Sequence, residues 1–211
     1  MALIIKHPHN YLCTFEKTDK NTKFHSIIDT LSSFKYNTLL TADAPIYQDT
    51  LRDFWVNVEV HEQDKKPWGI TSKVGGVLVA ISPANISETF QMNDLVGKSY
   101  FPKSEYQLDL IERGYDGQLT KATMFKPNFP PATKFLFHTL LTCLSNKTTS
   151  FNEIPLKIQY LGYAVMSKTN FNYSQEPFTD LVNNVKTLKL GRILLFFCSQ
   201  GFELLFAKES S

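Results

Sequence analysis

Five histidines and three cysteines are the side chains of this 211-residue sequence best suited to hold a metal or attack a substrate, and their spacing organises neither chemistry. His61-Glu62 lacks the second histidine that would complete a zinc-binding HExxH helix, and His7-Pro8-His9 lies in a stretch read as a loose N-terminal extension. His25 and His138 stand on predicted helices without a second histidine at ligand spacing, so each reads as a hydrogen-bonded or exposed imidazole. Cys13, Cys143 and Cys198 are odd in number and far apart, which predicts neither a disulfide framework nor a CxxC half-site. Cys143 reads as a small apolar residue of a buried helix. Gly75-Gly76 precedes an apolar run, but neither GxGxxG nor GxxxxGK[ST] surrounds it, and the pair reads as a hairpin turn instead of a phosphate loop. With no GxSxG elbow and no Asp-Ser/Thr-Gly, the sequence offers no catalytic residue, no metal ligand and no cofactor site, and the expectation is a protein that is not an enzyme, the alternative being an enzyme whose catalytic groups converge from distant positions.

Charge argues against a dedicated nucleic-acid reader. The 22 basic and 20 acidic residues leave a formal charge of +2, so no strong field surrounds the chain. The arginines are Arg52, Arg113 and Arg192; lysine is the poorer choice where bidentate recognition is needed. Lys17, Lys20 and Lys23, with Lys65 and Lys66, are the candidate phosphate contacts should nucleic acid bind at all. The opening MALIIKHPHNYL is too short an apolar run for a signal peptide, and no stretch reaches the ~18 apolar residues of a membrane span, so an intracellular protein, cytoplasmic or nuclear, is expected. Three Asn-x-Ser/Thr sequons, at Asn85, Asn146 and Asn172, then read as chance matches.

The elements that would position these residues centre on the stretch 130–165. Between Lys134 and Leu144 apolar side chains leave only a polar strip of Lys134, His138 and Thr142, with Thr139 beside it, so this helix must be buried on most of its circumference. A second helix follows, with Ile154, Ile158, Leu161 and Val165 inward; Ser150 with Glu153 and Asn152 compete as its cap, Asn152 being preferred because it leaves Pro155 in the free first turn. Upstream, Phe24, Ile27, Ile28, Leu31 and Phe34 predict a helix with Thr22 at its cap, and Tyr47, Leu51, Phe54, Trp55 and Val58 predict another opened by Pro45. Val56, Val58 and Val60 switch to a period of two, and 67–81 predicts a hairpin turning at the glycine pair. Ser82-Pro83 opens a helix facing inward through Ile86 and Phe90. Ser104 with Gln107 predicts a capping box for a helix carrying Leu108, Leu110 and Ile111 and ending at Gly114. Ser174 opens the last clear helix, with Phe178, Leu181, Val182 and Val185 on one face. Ile193 to Cys198 and Phe202 to Phe206 are apolar runs without periodicity, which fill a groove or stand as an aggregation hazard.

The expected fold is therefore α+β: a mainly α-helical single domain over 24–189 with a small antiparallel hairpin or meander around 56–81, an N-terminal extension over 1–23 and an apolar tail over 190–211. The segments 16–31, 46–55, 75–94, 113–117, 134–154 and 170–185, taken in that order, resemble a domain of plant retrotransposon-derived reading frames found beside copia-type Gag–Pol sequences, similar to the putative plant transposon protein domain. The resemblance covers about residues 9 to 186. It implies a structural or interaction module without established activity, acting on a protein partner or by self-association, with nucleic acid as the alternative partner. The family continues past the last helix with a Tyr-Pro-Arg-Phe-like segment that Leu190-Gly191-Arg192-Ile193 only partly matches, which implies a truncated or drifted copy.

Overall fold

The glycine pair does what its backbone freedom permits. Gly75 and Gly76 take φ of 56° and 88°, the two consecutive positive values of a tight hairpin turn, and so join strand β2 (Lys66–Val74) to β3 (Val77–Ile81). Strand β1 (Glu59–Gln63) lies on the other side of β2, giving an antiparallel sheet in the order β1-β2-β3. The computed structural model describes residues 13–41, 47–118, 123–145 and 152–187. Within them the protein is an α+β fold, mainly helical, with this sheet and a second two-stranded one.

Before the sheet come α1 (His25–Ser32), the short α2 (Asn37–Thr41) and α3 (Gln48–Asn57). The α1 stripe buries Ile28 and Leu31, while α3 lays Leu51 and Phe54 against β2, where the Ser72 hydroxyl donates to the Phe54 carbonyl at 2.7 Å. Thr22 is not the cap expected for α1. A 3-10 turn over Asp19–Phe24 precedes the helix, stabilised by the Thr18 N–H donating to Asn21 Oδ1 at 2.9 Å. After β3, Ser82 accepts the Asn85 N–H at 3.2 Å and caps α4 (Pro83–Thr89), whose Ile86 is fully buried with Phe90 just beyond.

Helix α5 (Lys103–Glu112) departs from its sequence pattern twice. It begins one residue before Ser104, with Pro102 as the flanking residue and no side-chain cap, so the Ser104–Gln107 box does not form. Its buried face is Tyr106, Gln107 and Leu110, while Leu108 and Ile111 are exposed. Two apolar stripes compete on this helix, and the one carrying the aromatic ring wins because Tyr106 meets Tyr160 edge-on at 5.1 Å. Gly114, at φ 92°, ends the helix as expected.

The central pair is α6 (Pro131–Leu144) and α7 (Leu156–Ser167). Leu136, Phe137, Leu140, Leu141 and Leu144 of α6 are buried, and Lys134, His138 and Thr142 hold the open strip. Neither competing cap starts α7. The helix begins behind Pro155, Asn152 lies in a turn, and Ser150 is outside the described residues, as are Pro45 and the runs 193–198 and 202–206. Ile154 is not helical; it pairs with Met124, so that β4 (Met124–Phe125) and β5 (Glu153–Ile154) clasp the two ends of the α6 hairpin. Helix α8 (Gln175–Thr187) buries Phe178, Leu181 and Val182 and ends against β1, where Lys186 pairs with Glu62. Ser174 immediately precedes the helix, as expected, and donates its N–H to Asp94, while Asn172 Oδ1 accepts the Gln175 N–H at 3.3 Å.

Candidate functional site

The residues named from sequence do not gather at one place. Lys17 is held by Asp29, Lys20 is exposed on the 3-10 turn, and Lys23 lies over the Phe24 ring at 5.0 Å. Lys65 sits in the β1–β2 turn, where it and Asp64 take positive φ of 62° and 51°, and Lys66 is the first residue of β2. His25 Nε2 is engaged by Asn21 Oδ1 and the Thr18 carbonyl, at 2.9 and 3.1 Å, and so reads as a structural imidazole.

Sequence reasoning missed a basic cluster on the open strip of α6. Lys126, in the 3-10 turn Lys126–Asn128, donates to His138 Nδ1 at 3.1 Å, with Lys134 one helical turn away. Burial and then the Lys134 charge push the Lys126 ammonium below its ordinary range; burial and then Lys126 do the same to His138. A lysine ammonium can only donate, so His138 is neutral here, with its proton on Nε2. Both shifts have repulsive or desolvating causes, which marks a spot where, among the described residues, no carboxylate offsets the positive charge. Single-residue spacing hid it, because Lys126 reaches α6 from a preceding turn.

Two clefts remain. The larger, about 820 Å³, runs between α1 and the α7–α8 connection, but its polar groups bond to one another: Lys35 to Asn170, Ser33 to the Asp29 carbonyl at 2.7 Å, and Asp29 to Lys17. It is a seam between elements. The smaller, about 490 Å³, is a mainly apolar groove on the sheet, lined by His61, Trp68, Thr71, Ala80, Pro83 and Leu95. The register of β1 on β2 slips between His61 and Glu62, which frees Trp68 from pairing and lets its indole lie 5.5 Å from the His61 ring, 29° from parallel. His61 Nε2 is 2.6 Å from Thr71 Oγ1, so the imidazole is locked across the strands. Trp68 remains 59% exposed, Leu95 48% and neighbouring Val96 90%.

The edge of the sheet beside this groove is open. A two-residue turn makes Val74 and Val77 a hydrogen-bonded pair, so bonding to β2 alternates and Leu78 and Ala80 turn their N–H and C=O groups away from it. Among the described residues no strand pairs with that side of β3. Its sequence, VLVAI, holds no charge, and Leu78 is 67% exposed. The β1 edge differs: it carries Glu59, His61 and Glu62 and is covered at one end by α8.

Among the described residues no three His, Cys, Asp or Glu side chains lie close enough to share a metal ion, and no helix is long and apolar enough to cross a membrane. No family model, curated protein or solved structure matches the chain.

Proposed function

We propose that this protein is a non-enzymatic interaction module, of the retroelement-derived structural kind its sequence resembles, and that it self-associates along β3. The observation that carries this reading is the uncharged, exposed edge of that strand. Folded proteins ordinarily blunt such an edge with lysine, proline or a bulge, because unpaired N–H and C=O groups template another strand. Here the β1 edge has charges, and β3 has neither charge nor bulge. A two-fold axis through Val79 sets Leu78 opposite Ala80 of a second copy, apolar against apolar, and joins the two sheets into one of six strands. The exposed Trp68 and Leu95 flank the junction and add apolar area to it.

Sedimentation or light scattering over a concentration series tests this. The expected result is a concentration-dependent dimer that Leu78→Lys converts to monomer, since the new ammonium would stand in a paired apolar edge. Because Leu78 is exposed in the monomer, its replacement should leave the unfolding free energy, measured at a concentration below dimerisation, within about 0.5 kcal/mol of the parent's. A parent protein that stays monomeric at several hundred micromolar, or a variant that still dimerises, would sink the reading.

A second reading, binding of nucleic-acid phosphate, is favoured by the Lys126, Lys134 and His138 cluster instead of the lysines named from sequence. Labelled single-stranded RNA and duplex DNA titrated at low and physiological salt decide it. Phosphate binding would weaken steeply with salt and flatten in Lys126→Ala with Lys134→Ala; no binding at low salt would remove it.

A further inference from the structure

We propose that Cys13 and Cys143 are a redox pair that closes into a reversible disulfide on exposure to hydrogen peroxide, stapling the N-terminal segment to the central helix α6. The two sulfurs are 3.4 Å apart although 130 residues separate them in the chain. Both are free thiols in the structure. A disulfide needs the sulfurs to approach by only about 1.4 Å more, a shift within reach of side-chain rotation and a small backbone adjustment.

The surroundings hold Cys13 in place. Its N–H donates to the Leu40 carbonyl at 3.0 Å, and two residues on, Phe15 takes a φ of 49°, rare for a bulky side chain, while its ring packs on the core. That turn returns the segment to α6 and brings Cys13 to the helix. Apolar packing alone would be served by any small side chain at either position; the paired thiols add a chemistry that packing does not require.

The contact also divides the labour between the sulfurs. Cys143 Sγ lies 3.4 Å from Cys13 Sγ and 4.0 Å from the Thr142 Oγ1, two neighbours able to hydrogen-bond a thiolate there. The contact with Cys13 holds the Cys143 thiol below its ordinary value against the opposing effect of burial, helped by the Thr142 hydroxyl, and the same contact, with burial, pushes Cys13 up. Cys143 is thus the nucleophile and Cys13 the resolving thiol. Cys143 is 8% exposed, which admits a small oxidant and disfavours a bulky one.

The Cys143 thiolate attacks one peroxide oxygen, the O–O bond breaks, and hydroxide leaves to become water. The resulting sulfenic acid is then attacked at sulfur by Cys13; its S–O bond breaks and the hydroxide takes the Cys13 proton. Two thiols and one peroxide give one disulfide and two waters, and a thiol reductant reverses the cross-link.

Peptide mapping of the full chain, carrying Cys198→Ser, after graded peroxide with glutathione in the same tube tests this. Expected is a loss of two hydrogens in the intact mass, with tryptic peptides 7–17 and 135–147 recovered joined and released by dithiothreitol. In a Cys13→Ser variant the cross-link is lost and Cys143 stops at the sulfenic acid, captured by a 1,3-diketone that labels the parent little. A covalent dimer, a sulfinic acid at Cys143 in the parent, or two reduced cysteines after the glutathione has been consumed would each overturn the proposal.

Discussion

Gly97→Ala is expected to destabilise the fold by about 3 kcal/mol, although its backbone conformation suits any residue. The obstacle is space. A Cβ at this position would lie 2.7 Å from the Asn172 nitrogen, 2.7 Å from the Phe171 carbonyl carbon and 2.8 Å from the Asp94 carbonyl oxygen, all backbone atoms that cannot swing aside. The close approach exists because two connections are bonded to each other there: Lys98 N–H to the Asn170 carbonyl at 3.0 Å and Asn172 N–H to the Lys98 carbonyl at 2.9 Å. Asp94 anchors the same junction from inside. It is fully buried, and its Oδ2 accepts the Ser174 N–H at 2.7 Å at the start of α8. The neighbouring Tyr36 phenol donates to the Phe171 carbonyl; burial, then the Asp94 charge, keeps it protonated well above its ordinary range.

Asp94→Asn should cost about 2 kcal/mol, because a charge-assisted bond becomes a neutral one and a buried amide N–H₂ replaces an oxygen that already lacks a partner, Oδ1. Once Gly97→Ala has pushed the connections apart, the Ser174 bond is already weakened. The double variant should therefore lose less than the two singles added. Urea midpoints of the four proteins measure this. A Gly97→Ala protein within about 0.5 kcal/mol of the parent would show that the junction yields freely.

This junction was invisible in the sequence for a physical reason. Asp94 and Ser174 lie 80 residues apart, and neither local spacing nor residue type says that a carboxylate in the polar connection 91–103 will be the most buried acid of the described fold. Periodicity succeeded where burial is decided within one element. The wide apolar surface of α6, the alternation into β1 and the glycine pair of the hairpin each specify their structure without help from distant residues. It failed on α5, where two apolar stripes were equally good locally and only contact with Tyr160 chose between them. It also failed at α7, whose start is set by the pairing of Ile154 with Met124 instead of by a cap. The candidate sites follow the same division. Open edge and groove were implicit in the hairpin, whereas the meeting of Cys13 with Cys143 and of Lys126 with His138 depends on how the chain returns to α6.

Where α6 and α7 meet, the packing leads to a prediction in which one substitution changes sign. Gly162, on the buried face of α7, lets the two helices approach so closely that an added Cβ would sit 2.3 Å from Cε1 of Phe137, 2.7 Å from its Cζ and 3.1 Å from its Cδ1. The ring is fully buried and cannot retreat without pressing on Phe129, whose centroid is 4.8 Å away. Alanine in place of a mid-helix glycine gains about 1 kcal/mol of helix propensity. Overpacking here should cost about 3 kcal/mol, so Gly162→Ala is expected to be destabilising by about 2 kcal/mol net. Phe137→Leu removes the ring atoms nearest the new methyl and by itself should cost about 1–2 kcal/mol for the space it leaves. In that background the methyl fills the vacated space, and Gly162→Ala should become stabilising by up to about 1 kcal/mol. A chemical-denaturation cycle over the four proteins reads the coupling directly. If Gly162→Ala costs the same with leucine as with phenylalanine at 137, the glycine is required for some reason other than this contact, and the account of how the central pair is packed fails with it.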